Sequence, residues 1–513
     1  MRKRGSLKLI LLFLSLLWIP TAEGQDSIPR MMMTFDQAFD VAKQNSHLIK
    51  QTSYLKAEKE QMTKATRGMY LPKVGITGSY MFLQDDLSLD LTPVRDAIVP
   101  LYSALGNYGV FSGVPNPDPA TNQVMPILPD NLSTQAVRGQ LQQGLTQIQN
   151  AEWDKLIQKK QFGTIAATAQ WPLFAGGKIH AANKAASIEE AEVDETMRQK
   201  EGELLSELVE RYFGLSLAYQ AVLVRQDVYT GMQRHLSDAE KMQRDGLIAN
   251  AEVLQAKLYH AQADRELKKA NRTVEVLNNA LNNTLALEND TIIEPVTALF
   301  YLDSIEPVDY YFKLAETKNP MLLIVESKKQ LADINYKVQR ADYLPAVAVQ
   351  GMYDVVNKDL SPYTPDWMVG IGMKWTLFDG TARYRKVKAA SAKTSQVEEI
   401  QVKAQTDVST MIFKLYNELN GYREQLSALD TAKAFAEEYL RVREKAFHEE
   451  MSNATEVIDA RMALAQVRVE RLQAIYGYDL TLARLLQYAG IPEEFIAYKV
   501  RKESKTEVYQ PMN

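Results

Sequence analysis

The most regular pattern in the chain lies between Trp367 and Thr376. Trp367, Val369, Ile371, Met373 and Trp375 alternate with Met368, Gly370, Gly372, Lys374 and Thr376, the period of two that marks a strand with unlike faces. Val74, Ile76, Tyr80 and Phe82 alternate in the same way with Gly75, Thr77 and Ser79. Weaker versions occur at 162–171 (Ile165, Ala167, Ala169, Trp171) and 346–355 (Val347, Val349, Tyr353, Val355). Strands are therefore predicted at about 73–83, 162–171, 346–355 and 367–377.

Most of the remainder reads as helix. Segments at about 35–70 and 316–342 each end at Leu-Pro, where proline blocks continuation. Very long helices are predicted over 178–244 and 382–448, just after Gly176 and Gly380, each roughly 100 Å at 1.5 Å per residue. They break near Asp245-Gly246 and between Glu449 and Asn453, and return helices run to about 284 and 488. Two short helices stacked end to end match one long helix in length. Ala249, Ala256, Ala263 and Ala270, followed by Leu277, hold seven-residue spacing along the first return helix. Small residues on such a stripe permit close coiled-coil packing. An ordinary coiled-coil rod is the alternative reading of these helices.

The elements come in two copies. Tyr70-Leu71-Pro72 recurs as Tyr343-Leu344-Pro345, an offset of 273. Trp171-Pro172-Leu173-Phe174-Ala175-Gly176 recurs as Trp375-Thr376-Leu377-Phe378-Asp379-Gly380, an offset of 204 that also carries Glu252-Val253 onto Glu456-Val457 and Ala261-Gln262 onto Ala465-Gln466. The change of offset means that the first copy holds 69 extra residues between Leu-Pro and Trp. They fall within about 85–161, a stretch rich in proline from Val114 to Pro129, with a helical-looking end carrying Leu141, Leu145, Ile148, Trp153 and Leu156.

Composition narrows what this plan can do. Arg2, Lys3, Arg4 and Lys8 precede an apolar run from Leu9 to Ile19, with small residues at Ala22 and Gly24, the layout of a secretory signal peptide over 1–24. Its removal takes away four basic residues and one acidic residue, moving the net charge from −5 to −8. Nothing in that balance suggests nucleic acid as a partner. The chain has no cysteine, which excludes disulfides and thiolate zinc sites. No later stretch reaches the ~20 apolar residues of a spanning helix. If the exported chain crosses a membrane, it does so as strands. Tryptophans at both ends of the fourth strand fit an interfacial aromatic girdle together with Trp171. Four strands cannot close a membrane barrel, since the smallest use about eight, so this reading demands several copies. A soluble sheet packed on the helices is the competing reading.

Catalysis has little support. His47, His180, His235, His260 and His448 are scattered and read as helix surface residues, and no phosphate loop or nucleophile elbow occurs. Neither a cofactor nor a metal is expected.

Several pieces, in this order and duplicated, resemble the TolC-type outer-membrane efflux family over roughly 34–490. They are the segment Phe35 to Asn45, the Leu-Pro before the first strand of each copy, Trp171 to Gly177 at the strand exit and the two return-helix signatures. The resemblance implies a mainly α fold with β: duplicated antiparallel helical hairpins forming a trimeric α-barrel, plus four strands per protomer in a twelve-stranded transmembrane β-barrel. It divides the chain into a signal peptide (1–24), a first repeat (25–287), an equatorial linker (288–310), a second repeat (311–490) and a C-terminal tail (491–513). The insert 85–161 would face the exterior, as a plug or as exposed decoration. The family forms the passive exit duct of tripartite efflux or type I secretion systems in the outer membrane of Gram-negative bacteria. Its partners are a periplasmic adaptor and an inner-membrane transporter.

The resemblance also implies sites. Gly246, Leu247 and Glu252 match the family's adaptor-contacting tip, while Glu450, beside Met451, stands where the family has glycine at the second tip. Glu456 and Asp459 match acidic residues that line the tunnel constriction. Spacing of i and i+3 puts both on one helix face, where symmetry would stack them as anionic rings. Phe447 and Ser452 occupy positions where relatives carry polar locking residues. A periplasmic coiled-coil or adaptor protein that never enters the membrane is the alternative function.

Overall fold

A computed structural model of the chain describes residues 30–288, 290–449, 451 and 453–509. The signal-peptide expectation at 1–24, and the expectations for Glu450 and Ser452, lie outside the described residues. In chain order the elements are β1 (Arg30–Met33), α1 (Phe35–Asn45), α2 (His47–Arg67), β2 (Lys73–Phe82), β3 (Leu87–Asp90), α3 (Thr92–Tyr108), α4 (Asp130–Asn150), β4 (Asp154–Gln158), β5 (Gln161–Phe174), α5 (Lys178–Arg244) and α6 (Asn250–Leu285). There follow β6 (Ile292–Pro295), β7 (Leu299–Leu302), α7 (Val308–Lys318), α8 (Pro320–Ala341), β8 (Ala346–Lys358), β9 (Trp367–Lys374), α9 (Ala382–His448), α10 (Ala454–Ala489), α11 (Glu494–Lys499) and β10 (Ser504–Glu507). The chain is mainly helical, and it divides into two compact units.

Among the described residues, the first unit comprises 30–61, Ala186–Asp333 and 392–509. Its centre is aromatic. Phe35, Phe213, Phe300 and Phe495 are fully buried, with Phe35 stacked on Phe213 at 5.3 Å and Phe300 edge-on to Phe495 at 5.5 Å. Tyr212, equally buried, donates its hydroxyl to the Met33 carbonyl (2.7 Å) and accepts from Thr297 N (2.9 Å). Two small ribbons close around this centre, β1 parallel to β6 and β10 antiparallel to β7. The linker expected over 288–310 is thus partly core: Leu299, Phe300 and Leu302 are inaccessible to solvent.

Capping explains where the helices start. Thr34 and Gln37 form a reciprocal capping box at α1. The segment expected as one helix over 35–70 is interrupted at Ser46, whose Oγ accepts from Ile49 N, and a 3₁₀ turn (Gly68–Tyr70) leads to Leu-Pro. The second copy breaks at Asn319, 273 residues later, where Oδ1 accepts from Leu322 N ahead of Pro320. α5 and α9 run unbroken for 67 residues each. Along α6, Ala256 and Ala263 are buried and Ala270 and Leu277 half-buried, but Ala249 is exposed because it is the N-cap. His235 and His260 also depart from the surface reading. His235 packs edge-on to Phe447, and burial lowers its imidazole pKa; His260 lies against Tyr229.

The second unit comprises Met62–Ala185 and Ile334–Ser391. Its main sheet is antiparallel throughout, in the order β2-β5-β8-β9. Between β2 and β5 the insert folds as a β3–β4 ribbon enclosing α3 and α4. The helical-looking end stops sooner than expected. α4 ends at Asn150, the Trp153 indole turns back to donate to the Ile148 carbonyl (2.6 Å), and Leu156 belongs to β4. α3 had no counterpart in the pattern reading, because Pro93 and Pro100 mask a helix that takes the first proline in its opening turn.

Candidate functional site

The ladder register decides what each face of the main sheet carries. Lys73 pairs with Gln170, Gln170 with Gln350 and Gln350 with Gly370; two residues along, Gly75, Thr168, Met352 and Met368 follow. Thr77, Ser79, Thr164 and Lys374 fall on this same face, which is curved around a cavity of about 690 Å³ lined in part by Lys73, Gln170 and Gln350. Its hydroxyls bond across the strands, Ser79 with Thr164 at 3.1 Å and Thr168 to the Gly75 carbonyl at 3.3 Å.

The opposite face is apolar. Val74, Ile76, Tyr80, Phe82, Trp171, Val349, Trp367, Val369, Ile371 and Met373 share it. Ile76 is 76% exposed, Phe82 72% and Ile371 73%. Val349 is half-buried, and among the described residues nothing covers the outer members of this face. Burying a side chain of this kind is worth roughly 1.5–3 kcal/mol, so an amphipathic sheet left open to water on its apolar side lacks a partner phase. Among the described residues both outer strands, β2 and β9, also carry unpaired backbone edges, which templates further strand pairing.

The corners between helix and sheet are built twice in the same way. The Trp171 indole donates to the Tyr70 carbonyl (2.9 Å), and Trp375, just past the end of β9, donates to the Tyr343 carbonyl (3.1 Å). Gly176 and Gly380 follow with φ of +63° and +66°, a conformation that suits glycine. Arg383 anchors the second corner, donating to Asp379 and to the Leu377 and Asp342 carbonyls. Lys178 is paired with Asp342. Trp367 lies opposite Tyr353 at the other end of the fourth strand.

The two helical hairpins close alike. At the first, Leu247 N donates to the Met242 carbonyl and Gly246 N to Gln243, with Gly246 at φ +76°, a Schellman ending. At the second, Met451 N donates to the Ala446 carbonyl. Leu247 is 67% exposed and Met451 79%, and Glu252 is exposed in the first turn of α6. In the second hairpin Asn453 caps α10 by accepting from Glu456 N (2.9 Å).

Glu456 is not a free carboxylate. Arg443 of α9, itself against the Tyr439 ring, donates to it at 2.6 Å. Asp459, one turn further on the same face, is exposed and enters no ion pair among the described residues. Arg443 escaped the pattern reading. The signal was present: it stands about as far before the turn as Glu456 stands after it, the condition for facing across a helical hairpin. Lys374 stands in the sequence only as part of the polar half of an alternation, and nothing in the pattern singles out Lys73. No described helix is long and apolar enough to cross a membrane.

The model of the outer membrane efflux protein family matches residues 157–286 and 312–491, more than half of the chain. No curated protein matches it in sequence. Among solved structures, the outer membrane protein VceC from Vibrio cholerae is similar with a TM-score of 0.64 at 14% identity, over 89% of this chain and 96% of that one. The Campylobacter jejuni CmeC outer membrane channel gives 0.64 at 11%, over 91% and 89%. The Neisseria gonorrhoeae MtrE outer membrane channel, in its open state, gives 0.60 at 13%, over 89% of each. At such identities the structures speak to fold alone. The chain belongs to the outer membrane efflux protein family, and its fold is that of the TolC-like channels.

Proposed function

We propose that the protein is the outer-membrane exit duct of a tripartite efflux or type I secretion system, working as a homotrimer that conducts passively. The observation that carries this reading is the sheet: among the described residues one face is apolar and uncovered, the other polar and concave, and both edges are open. In this reading the β2 edge of one copy meets the β9 edge of the next, and three copies close a twelve-stranded barrel. The apolar face meets lipid, the polar face lines water, and no backbone edge is left unsatisfied. Trp171, Trp367 and Trp375 supply the aromatic girdle. A coiled-coil adaptor outside the membrane would need the hairpins but has no use for such a sheet.

The domain plan carries over in the same terms, with repeats over 25–287 and 311–490, a linker between them, an exported N-terminus and the insert outside the cell. The helices would stand in the periplasm, with Gly246, Leu247, Glu252, Glu450 and Met451 at the tips that meet the adaptor. Glu456 and Asp459 form the periplasmic gate. Because Arg443 offsets the charge of Glu456, Asp459 supplies most of the net anionic character of that ring, and the Arg443–Glu456 pair ties α9 to α10 beside it. Purified protein in planar bilayers tests both levels. The reading expects discrete channels, and it expects Glu456→Ala with Asp459→Ala to raise conductance and weaken the response to divalent cations. Unchanged conductance and cation response would remove the gate assignment; absence of channels from the wild type would remove the duct.

A further inference from the structure

We propose that Lys73 and Lys374 form a basic collar on the lumen wall and bias the duct toward anionic over cationic solutes. The inference rests on the shared-barrel reading above and deepens it by naming a class of cargo.

The ladder registers put both lysines on the polar, concave face, although they belong to the two opposite edge strands. Lys73 is the first residue of β2, directly after Leu71-Pro72, and Lys374 is the last residue of β9, before the turn into α9. Each therefore sits at the end of its strand nearest the helices in the chain. β2 runs away from its preceding helix and β9 runs back toward its following one. Joining the free edge of β2 in one copy to that of β9 in the next thus brings these two ends together, antiparallel, with a lysine on each.

Neither ammonium is spoken for. Both residues are exposed, and neither enters an ion pair among the described residues. The nearby carboxylates are committed elsewhere, Asp342 to Lys178 and Asp379 to Arg383. In the paired rows of the polar face the one carboxylate is Asp354, and it is buried. The neighbours of Lys73 in its row are the neutral amides Gln170 and Gln350.

Two lysines from every copy then give a wall of one sign in a water-filled passage. Low-dielectric walls focus such a field, and rings of Lys or Arg are how pores favour anions. The Debye length of about 10 Å at 0.1 M salt lets the charges of a ring act together, whereas about 3 Å at 1 M does not. The collar is distinct in sign and residues from the acidic gate, so the two make separable contributions to selectivity.

The reversal potential of single channels in a potassium chloride gradient tests this on the full-length protein. Lys73→Gln with Lys374→Gln is expected to lower the anion-to-cation permeability ratio about twofold or more, most strongly in dilute salt. Lys73→Arg with Lys374→Arg should keep the wild-type ratio. If the glutamine pair does not assemble, each single glutamine variant should give a smaller shift of the same sign. A wild-type reversal potential in the glutamine variants overturns the collar while leaving the duct standing. A wild type that forms no conducting pore overturns the duct, and the collar with it.

Discussion

Residue by residue, the two copies solve the same local problem with different side chains. α6 and α10 both end in a Schellman motif, 204 residues apart. Leu287 N reaches the Asn282 carbonyl in one and Ile491 N reaches Leu486 in the other. The residue that must turn left-handed is Ala286 (φ +52°) in the first copy and Gly490 (φ +81°) in the second. A Cβ on Gly490 would stand 2.4 Å from the Lys318 carbonyl, so two penalties combine there. Gly490→Ala should lower stability by about 2–4 kcal/mol, read as a large drop in thermal midpoint in detergent. Ala286→Gly relieves the left-handed strain and should raise stability by about 0.5–1 kcal/mol. Equal effects at the two sites would contradict this account.

Asp479 is the other informative residue. It is fully buried, accepts from Phe300 N through Oδ2, and leaves Oδ1 without a partner among the described residues. Desolvation raises its pKa well above the ordinary carboxylate value, against a smaller lowering by the Phe300 hydrogen bond. A carboxyl raised in the folded state binds its proton more tightly there than in the unfolded chain. Its contribution is therefore complete below the unfolded pKa of about 3.9 and is lost as pH rises toward the folded one. Asp479→Asn keeps an acceptor for Phe300 N and removes the titration. The variant should lose less stability than the wild type as pH climbs from about 4 through neutrality, as measured by thermal midpoints across that range. Parallel pH profiles would show that Asp479 does not carry the effect.

Among the elements, those with a strong period were legible. The helices expected over 178–244 and 382–448 are Lys178–Arg244 and Ala382–His448, because each is bounded by left-handed glycine on one side and a tight turn on the other. The alternation at 367–377 corresponds to β9 at Trp367–Lys374, and the register supplies what one strand cannot: which face of its neighbours continues it. Elements that depend on tertiary burial were not legible. β1, β6, β7 and β10 have four residues each and no pattern of their own: Met33, Ile293 and all of β7 pack into the aromatic centre, while β10 is held by its ladder to β7 and by Glu507 against Arg471 and Lys433. α3 was hidden by its prolines. At the candidate gate the carboxylates could be named from resemblance, but their inequality could not. It arises from Arg443, which faces Glu456 only once the hairpin has closed.

At the scale of the whole molecule, duplication and incompleteness are the organising facts. Breaks at Ser46 and Asn319, corner bonds from Trp171 and Trp375, and helix ends at Ala286 and Gly490 repeat the plan down to individual hydrogen bonds. Among the described residues the sheet they support finds neither a cover for its apolar face nor a partner for its outer strands, and this carries the functional reading more firmly than any single motif. The chain has no native cysteine, so an introduced pair reports without background. Cysteines placed one at a time along 73–82 and one at a time along 367–374, combined in pairs and oxidised in cells, test the closure directly. The account predicts a register of pairs that locks the protein into covalent trimers in the outer-membrane fraction, with no covalent species larger than the trimer. Oxidation that yields only uncross-linked protein at every register, in a protein recovered from the soluble periplasm, would contradict it.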